Sequence, residues 1–243
     1  MGPLVSIGIP VKNGFLNKPE FNLSKCLDSI INQSYQNIEI IISNNCSNDK
    51  TEEYLNEMIK TDKRIKYFNQ ENEISWAQNF KFVLNKSNGK YFRWNAADDY
   101  ISKDYILENV QFLENNSDYV SSSSKFYYES DKDKIHTYDL NKDLFDRING
   151  FFNIRHMSHN ILYSLINKKK MLDITDISKD YWAVDWMLEL DLLNNGKFKT
   201  IEKGYVGYGT NGMSRQKNFI KRDVYTNNFL YKIFPFHKLM VNL

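Results

Sequence analysis

The hydrophobic pattern changes period several times in the first half of the chain, and each change marks the border of an element. Leu4 to Val11 reads as a strand ending near Pro10, followed by a loop rich in Asn, Gly and Pro over 12–21. Leu23, Leu27, Ile30 and Ile31 then fall on one helical face, with Asn22 or Ser24 as the cap. Ile38 to Ser43 is an almost unbroken β-branched run, as expected of a strand covered on both faces. A polar loop, Asn44 to Lys50, leads into a helix over Thr51 to Ile59. A short strand over Ile65 to Phe68, a helix over Ser75 to Leu84 and a fourth strand over Tyr91 to Trp94 follow. That last strand runs straight into Ala96-Ala97-Asp98-Asp99. Strands alternating with helical patterns are the signature of βαβ units, so the pattern predicts an α/β fold with a mostly parallel central sheet flanked by helices.

The second half is less regular. Tyr119 to Tyr128 reads as a strand, and Ser130 to Asp143 as a charged segment, either an exposed loop or a mobile one. Phe151 to Ile166 mixes aromatics with His156 and His159 and yields no assignment. Tyr181 to Leu193 predicts a helix with Trp182, Trp186, Leu190 and Leu193 on its apolar stripe, closed by a left-handed cap at Asn194-Asn195-Gly196. Phe198 to Glu202 is the last expected strand. From Lys217 onward, basic residues interleave with Phe219, Phe229, Tyr231, Phe234 and Phe236, a tail that reads as a final packed helix or as a membrane-surface element.

Composition narrows the function classes. The 243 residues are 42% apolar and include 16 Tyr, 16 Phe and 4 Trp, ample for a packed core. A formal charge of +2 gives no electrostatic case for nucleic acid. Cys26 and Cys46 form neither a disulfide framework nor a zinc motif, which points to a reducing compartment. No apolar run approaches the roughly 18 residues of a membrane span, and no secretory leader is visible.

Parallel α/β sheets hold ligands at the carboxyl ends of their strands. Three polar clusters stand there: Pro10-Val11-Lys12-Asn13, Asn44-Asn45 with Asp49, and Asp98-Asp99. Adjacent carboxylates at a strand end repel each other, and a divalent cation shared with a substrate phosphate relieves the repulsion; a solvated turn is the plain alternative. Asp185, between Val184 and Trp186, has the partly aromatic surroundings that raise a carboxyl pKa and suit a general base, with Glu189 and Asp191 as rivals of the same type.

In this order the signals resemble a known family. Pro10-Val11-Lys12-Asn13, Leu27 to Tyr35, the run from Ile38 through Asn44-Asn45-Cys46-Ser47-Asn48-Asp49-Lys50-Thr51, Asn79, Gly89-Lys90-Tyr91 and Trp94 to Asp99 are similar to the N-terminal half of family 2 glycosyltransferases of the GT-A fold. A looser likeness extends through Asp185-Trp186 and Gly196-Lys197-Phe198 to Ser214. The resemblance implies a nucleotide-sugar (donor) half over 1–115, an acceptor-side half of the same domain over 116–216, and the tail over 217–243. It also implies donor binding by Pro10, Val11, Asn13, Asn44, Asn79 and Asp98, with Asn44 facing the base. Asp98 and Asp99 stand where the family holds Mg or Mn, and Asp185 stands at its catalytic base. Trp186, His156 and His159 are acceptor-side expectations.

The implied activity is inverting transfer of a sugar from a nucleoside diphosphate, usually UDP, to a glycan or lipid-linked glycan in bacterial surface polysaccharide synthesis. The implied setting is cytoplasmic, with peripheral contact to the inner face of the membrane. The chain departs from the family pattern in having Asn44 for Asp, Ala96 for the first acid of the Asp-x-Asp-Asp element, and Thr210 and Asn211 where relatives often place His. Two rival readings remain at this level: a non-catalytic nucleotide or glycan-binding module, which the missing acid favours, and a sugar nucleotidyltransferase, which the sparse glycine content of the loop after the first strand disfavours.

Overall fold

The computed structural model describes residues 2–15, 23–171 and 184–209. Its nine strands form a single sheet. Four parallel strands make one side of it: β1 (Val5–Val11), β2 (Ile38–Asn44), β3 (Ile65–Asn69) and β4 (Tyr91–Trp94), in the order β3-β2-β1-β4. β2 is buried along its whole length, as its unbroken β-branched run requires. The helices α1 (Leu23–Ile31), α2 (Thr51–Thr61) and α3 (Trp76–Asn85) connect these strands, which gives the expected βαβ succession. α3 opens with a reciprocal capping box between Ser75 and Gln78. On α1, Leu23, Leu27 and Ile30 are buried as expected; Asn22, one of the two cap candidates, lies outside the described residues.

The sheet continues beyond β4 with segments of the second half. β5 (Tyr100–Ile101) is two residues long, α4 (Tyr105–Asn115) follows it, and β6 (Tyr119–Tyr128) carries a hairpin partner β7 (Asp131–His136). β8 (Leu165–Asn167) lies antiparallel between β4 and β6, and β9 (Lys197–Tyr208) runs parallel to β6 and antiparallel to β5. α5 (Leu144–Ile154), the single turn α6 (His159–Leu162) and α7 (Val184–Asn195) complete the described chain.

Three expectations are corrected. The charged segment after Ser130 is not a loop but contains β7, an exposed strand of alternating Lys and Asp that owes its form to backbone pairing with β6. Gly196 does not take a left-handed conformation; it is needed because a Cβ there would come within 2.9 Å of Val120, where α7 hands over to β9 against β6. β9 itself reaches Tyr208, well beyond Glu202, and this extension carries Gly209 to the acidic pair. Residues 181–183 of the expected α7, Thr210, Asn211 and the whole tail from Lys217 lie outside the described residues. Among the described residues no helix is long and apolar enough to cross a membrane.

Candidate active site

The loops after β1 and β2 are laced together by side chains. The backbone N–H groups of Asn13, Gly14 and Phe15 donate to Ser47 Oγ, Thr51 Oγ1 and Asp49 Oδ2, each at 2.8 Å. Asn13 Oδ1 accepts from the Asn48 N–H at 2.8 Å, with Asn13 at φ +56°, a conformation Asn tolerates better than most residues. Asp49 also accepts from the Thr51 N–H at 3.0 Å, a local turn that leads into α2. Asn45 clamps the strand-to-helix segment before α3 through both backbone groups of Ile74, at 2.8 and 2.9 Å.

Asn44 requires a correction. The expectation has it facing a base, but its side chain is fully buried, donating to Asn69 Oδ1 at 3.0 Å and Tyr67 Oη at 3.2 Å while accepting from Ser47. A saturated, enclosed amide acts through the loop it holds. Pro10 is half-buried and Val11 buried beside this loop. Asn79 is buried on α3 with Nδ2 donating to the Ser43 carbonyl at 3.3 Å, and its Oδ1 lacks a hydrogen-bond partner among the described residues.

The turn after β4 is built by a residue that the motif reading passed over. Asn95, fully buried, donates to the carbonyls of Ala96 and Asp99 at 2.9 and 3.1 Å and to Cys26 Sγ, folding the chain so that the two acids emerge together. Its Oδ1 accepts from Arg93 Nε at 3.2 Å; Arg93 is itself buried, donating to Tyr105 Oη at 2.8 Å with its guanidinium over the Tyr105 ring. Asp99 is buried and accepts from the Gly209 N–H at 2.9 Å. Asp98 is the more exposed of the two, and Gly209 lies so close to it that a Cβ would stand 2.5 Å from its carboxylate. Burial, then the Asp99 charge, pushes the Cys26 thiol well above its ordinary range, so this cysteine is an inert wall of the turn.

On the opposite side, Asp185 sits in the first described turn of α7, half-buried, with Oδ1 accepting from the Trp186 N–H at 3.0 Å. Burial raises its carboxyl above the ordinary value. Glu189, one turn further, is 1% exposed; burial and then the Asp185 charge raise it further, and its Oε2 has no hydrogen-bond partner among the described residues. Tyr163 directly follows α6, which packs against α7. Its phenol is pushed up by burial and then, in descending order, by the charges of Asp99, Asp98, Asp185 and Glu189. Phe80 and Tyr208 flank the ring with centroids at 6.4 and 6.3 Å.

The acceptor-side expectations separate. His159 packs on Tyr208 at 4.6 Å and pairs with Tyr128 Oη at 3.3 Å, next to this centre. His156 is exposed on the short turn over 155–157. Trp186 is half-buried with its ring edge-on to Phe151 of α5.

Among the described residues no group of three or more His, Cys, Asp or Glu stands close enough to hold a metal by itself. The donor set still fits a hard cation: Asp98 offers carboxylate oxygens, and Mg or Mn commonly takes one or two carboxylates plus substrate phosphates.

The βαβ half-sheet with an acidic pair after its fourth strand, extended by mixed strands and by α7 with its carboxylates, has the GT-A architecture. Residues 6–185 match the model of the glycosyl transferase family 2, and the chain belongs to that family. An uncharacterized glycosyltransferase of Haemophilus influenzae is 34% identical over 124 residues, covering 51% of this chain and 36% of that protein. The glycosyltransferase GlyA of Streptococcus pneumoniae is 41% identical over 103 residues, covering 42% of this chain and 14% of that protein. The chain thus spans well under half the length of these relatives. The structure of S. aureus TarS 1–349 in complex with UDP-GlcNAc superposes with a TM-score of 0.69 over 91% of this chain and 62% of that one, at 13% identity, a likeness of fold.

Proposed function

We propose that the chain transfers a sugar from a nucleoside diphosphate donor, with UDP the first candidate, to a hydroxyl of a glycan or lipid-linked glycan, inverting the anomeric centre, in the synthesis of a surface polysaccharide. The observation that carries this reading is the place of Tyr163: it follows the α6 turn that packs on α7, and its ring meets Tyr208, whose neighbour Gly209 donates to Asp99, so the helical carboxylate and the strand-end acids are linked through one side chain. The TarS fold with its sugar nucleotide supports the choice of UDP.

In this reading the nucleotide lies along the loops held by Asn13, Asn44 and Asn45, above Pro10 and Val11, with Asn79 at the base of the pocket and the donor's diphosphate near Asp98. Asp98, seconded by Asp99, would hold Mg or Mn, whose chemistry is to neutralise the charge that develops on the departing diphosphate. Asp185 accepts the proton of the acceptor hydroxyl as its oxygen bonds to the anomeric carbon and the carbon–diphosphate bond breaks. Attack from the side opposite the leaving group requires inversion. Burial keeps Asp185 a stronger base than an exposed carboxylate, at the cost of a higher pH for its ionisation. Acceptor contacts belong to His159 and, at the rim, to Trp186 and His156. The protein works on the inner face of the cell membrane, with the tail from Lys217 as the peripheral contact.

The test is a thermal-shift screen of UDP-, GDP-, CDP- and dTDP-sugars with and without Mn, followed by Asp185→Asn. A transferase keeps the donor-dependent shift in that variant and loses transfer; a product of retained anomeric configuration, or undiminished transfer, refutes the assignment.

A further inference from the structure

The sequence marks Tyr163 only as one of the aromatics of an unassigned stretch on the acceptor side, and the geometry points to a role toward the donor: we infer that its hydroxyl hydrogen-bonds the sugar being transferred and so selects which donor sugar is accepted. This rests on the transferase reading and deepens it. The position is fixed on both sides. Tyr163 follows α6 directly, its N–H bonded to the His159 carbonyl at 2.9 Å, and α6 packs against α7, which carries Asp185. Its ring neighbours Tyr208, which directly precedes Gly209, the residue whose N–H grips Asp99 and whose backbone lies against Asp98. A diphosphate held at Asp98 and an acceptor hydroxyl presented to Asp185 leave one molecule between them, the sugar ring.

The chemistry of Tyr163 matches that occupant. Its hydroxyl has no hydrogen-bond partner among the described residues, although four carboxylates lie within electrostatic reach. A tyrosine hydroxyl is protonated at neutral pH, so it donates, and a sugar hydroxyl or acyl oxygen accepts. Phe80, half-buried beside it, has an aromatic ring of the kind that packs on the C–H surface of a pyranose, while buried Tyr208 backs the Tyr163 ring. A phenol in contact with the diphosphate instead would serve every donor of one nucleotide equally; one in contact with the sugar discriminates between donors.

The experiment uses Tyr163→Phe in the full chain, which preserves the ring packing. Binding is measured by calorimetry for UDP alone and for UDP-glucose, UDP-galactose, UDP-N-acetylglucosamine and UDP-N-acetylgalactosamine, with the same series on GDP. The expected result is unchanged affinity for the free nucleotide and a roughly tenfold loss for the sugar nucleotide that wild type binds best. Equal losses for nucleotide and sugar nucleotide, or no loss for either, overturn the inference. As a second measurement, wild type and variant are compared on deoxygenated versions of that donor: removal of the recognised hydroxyl costs wild type about tenfold and costs the variant nothing further. If every deoxygenation costs both proteins equally, the inference fails even though the chain is a transferase. If wild type binds no sugar nucleotide in either series, this inference falls together with the transferase reading.

Discussion

The loops after β1 and β2 and the segment from α6 to α7 treat their polar groups in opposite ways. Around the ends of β1 and β2 the amides and carboxyls are paired with one another: Asn13, Asn44, Asn45, Asp49 and Thr51 form closed local circuits, leaving the backbone stiff and preset. Around α6 and α7 the polar groups are buried without opposite charge. Asp185 and Glu189 stand one helical turn apart and both are held above their ordinary values, while Glu189 Oε2 and the Tyr163 hydroxyl find no partner among the described residues. Closed circuits favour recognition of a constant ligand part, such as a nucleotide, and open groups favour chemistry and selection at a part that varies.

This contrast predicts where substitutions bite. Asp185→Asn should lower transfer by about 100- to 10,000-fold while donor binding stays within twofold, measured by turnover and calorimetry side by side. Because Asp185 must be ionised to act, and burial raises its value, the acid limb of the pH–rate profile should lie above that of an exposed carboxylate. Gly209→Val should push the end of β9 away from Asp98, lowering stability by about 1–3 kcal/mol in urea unfolding and weakening donor binding in Mn. Asn45→Ala should remove both bonds to Ile74 and cost about 1–3 kcal/mol, with donor affinity falling as the paired loop loosens.

Glu189→Gln should produce the smallest effect, and one that depends on pH. A carboxyl whose folded value is raised contributes stability below its unfolded value of about 4.3, and that contribution is lost as pH rises toward the folded value. The variant lacks this loss. Its stability relative to wild type should therefore climb from pH 4 toward pH 8 in urea titrations, and a flat difference would place a charge on Glu189 that the structure does not support.

The sequence was legible where structure is local. The strands β1, β2 and β4 and the polar loops that follow them could be read because a covered parallel strand imposes a β-branched run and its end supplies the ligands. α4 was legible in principle, since Tyr105, Ile106, Asn109, Val110 and Leu113 repeat at helical spacing and are all buried; the polar Asn109 in the stripe disguises it. β7 carried no signal, because a strand exposed along its length needs no apolar alternation. The placement of Tyr163 and Gly209 relative to the acids was hidden for a different reason. Each reaches the acidic pair only through the tertiary path of α6 or β9, from 64 and 110 residues along the chain from Asp99, and nothing in their neighbours announces the meeting.

Four consecutive serines inside β6 are all fully enclosed, with the buried Val120 before them and the buried Phe126 beyond Lys125. Ser122 Oγ donates to Asn109 Oδ1, Ser123 Oγ to Asn160 Oδ1, and Asn109 Nδ2 donates to Ser124 Oγ. The serines are alike and a slip by one residue would only exchange them, and Ser121 Oγ has no hydrogen-bond partner among the described residues. The seating is therefore set at the ends of the run: the same slip puts the Lys125 ammonium where Phe126 is enclosed. Chains that mispair there should be discarded as aggregates instead of settling into a near-native alternative.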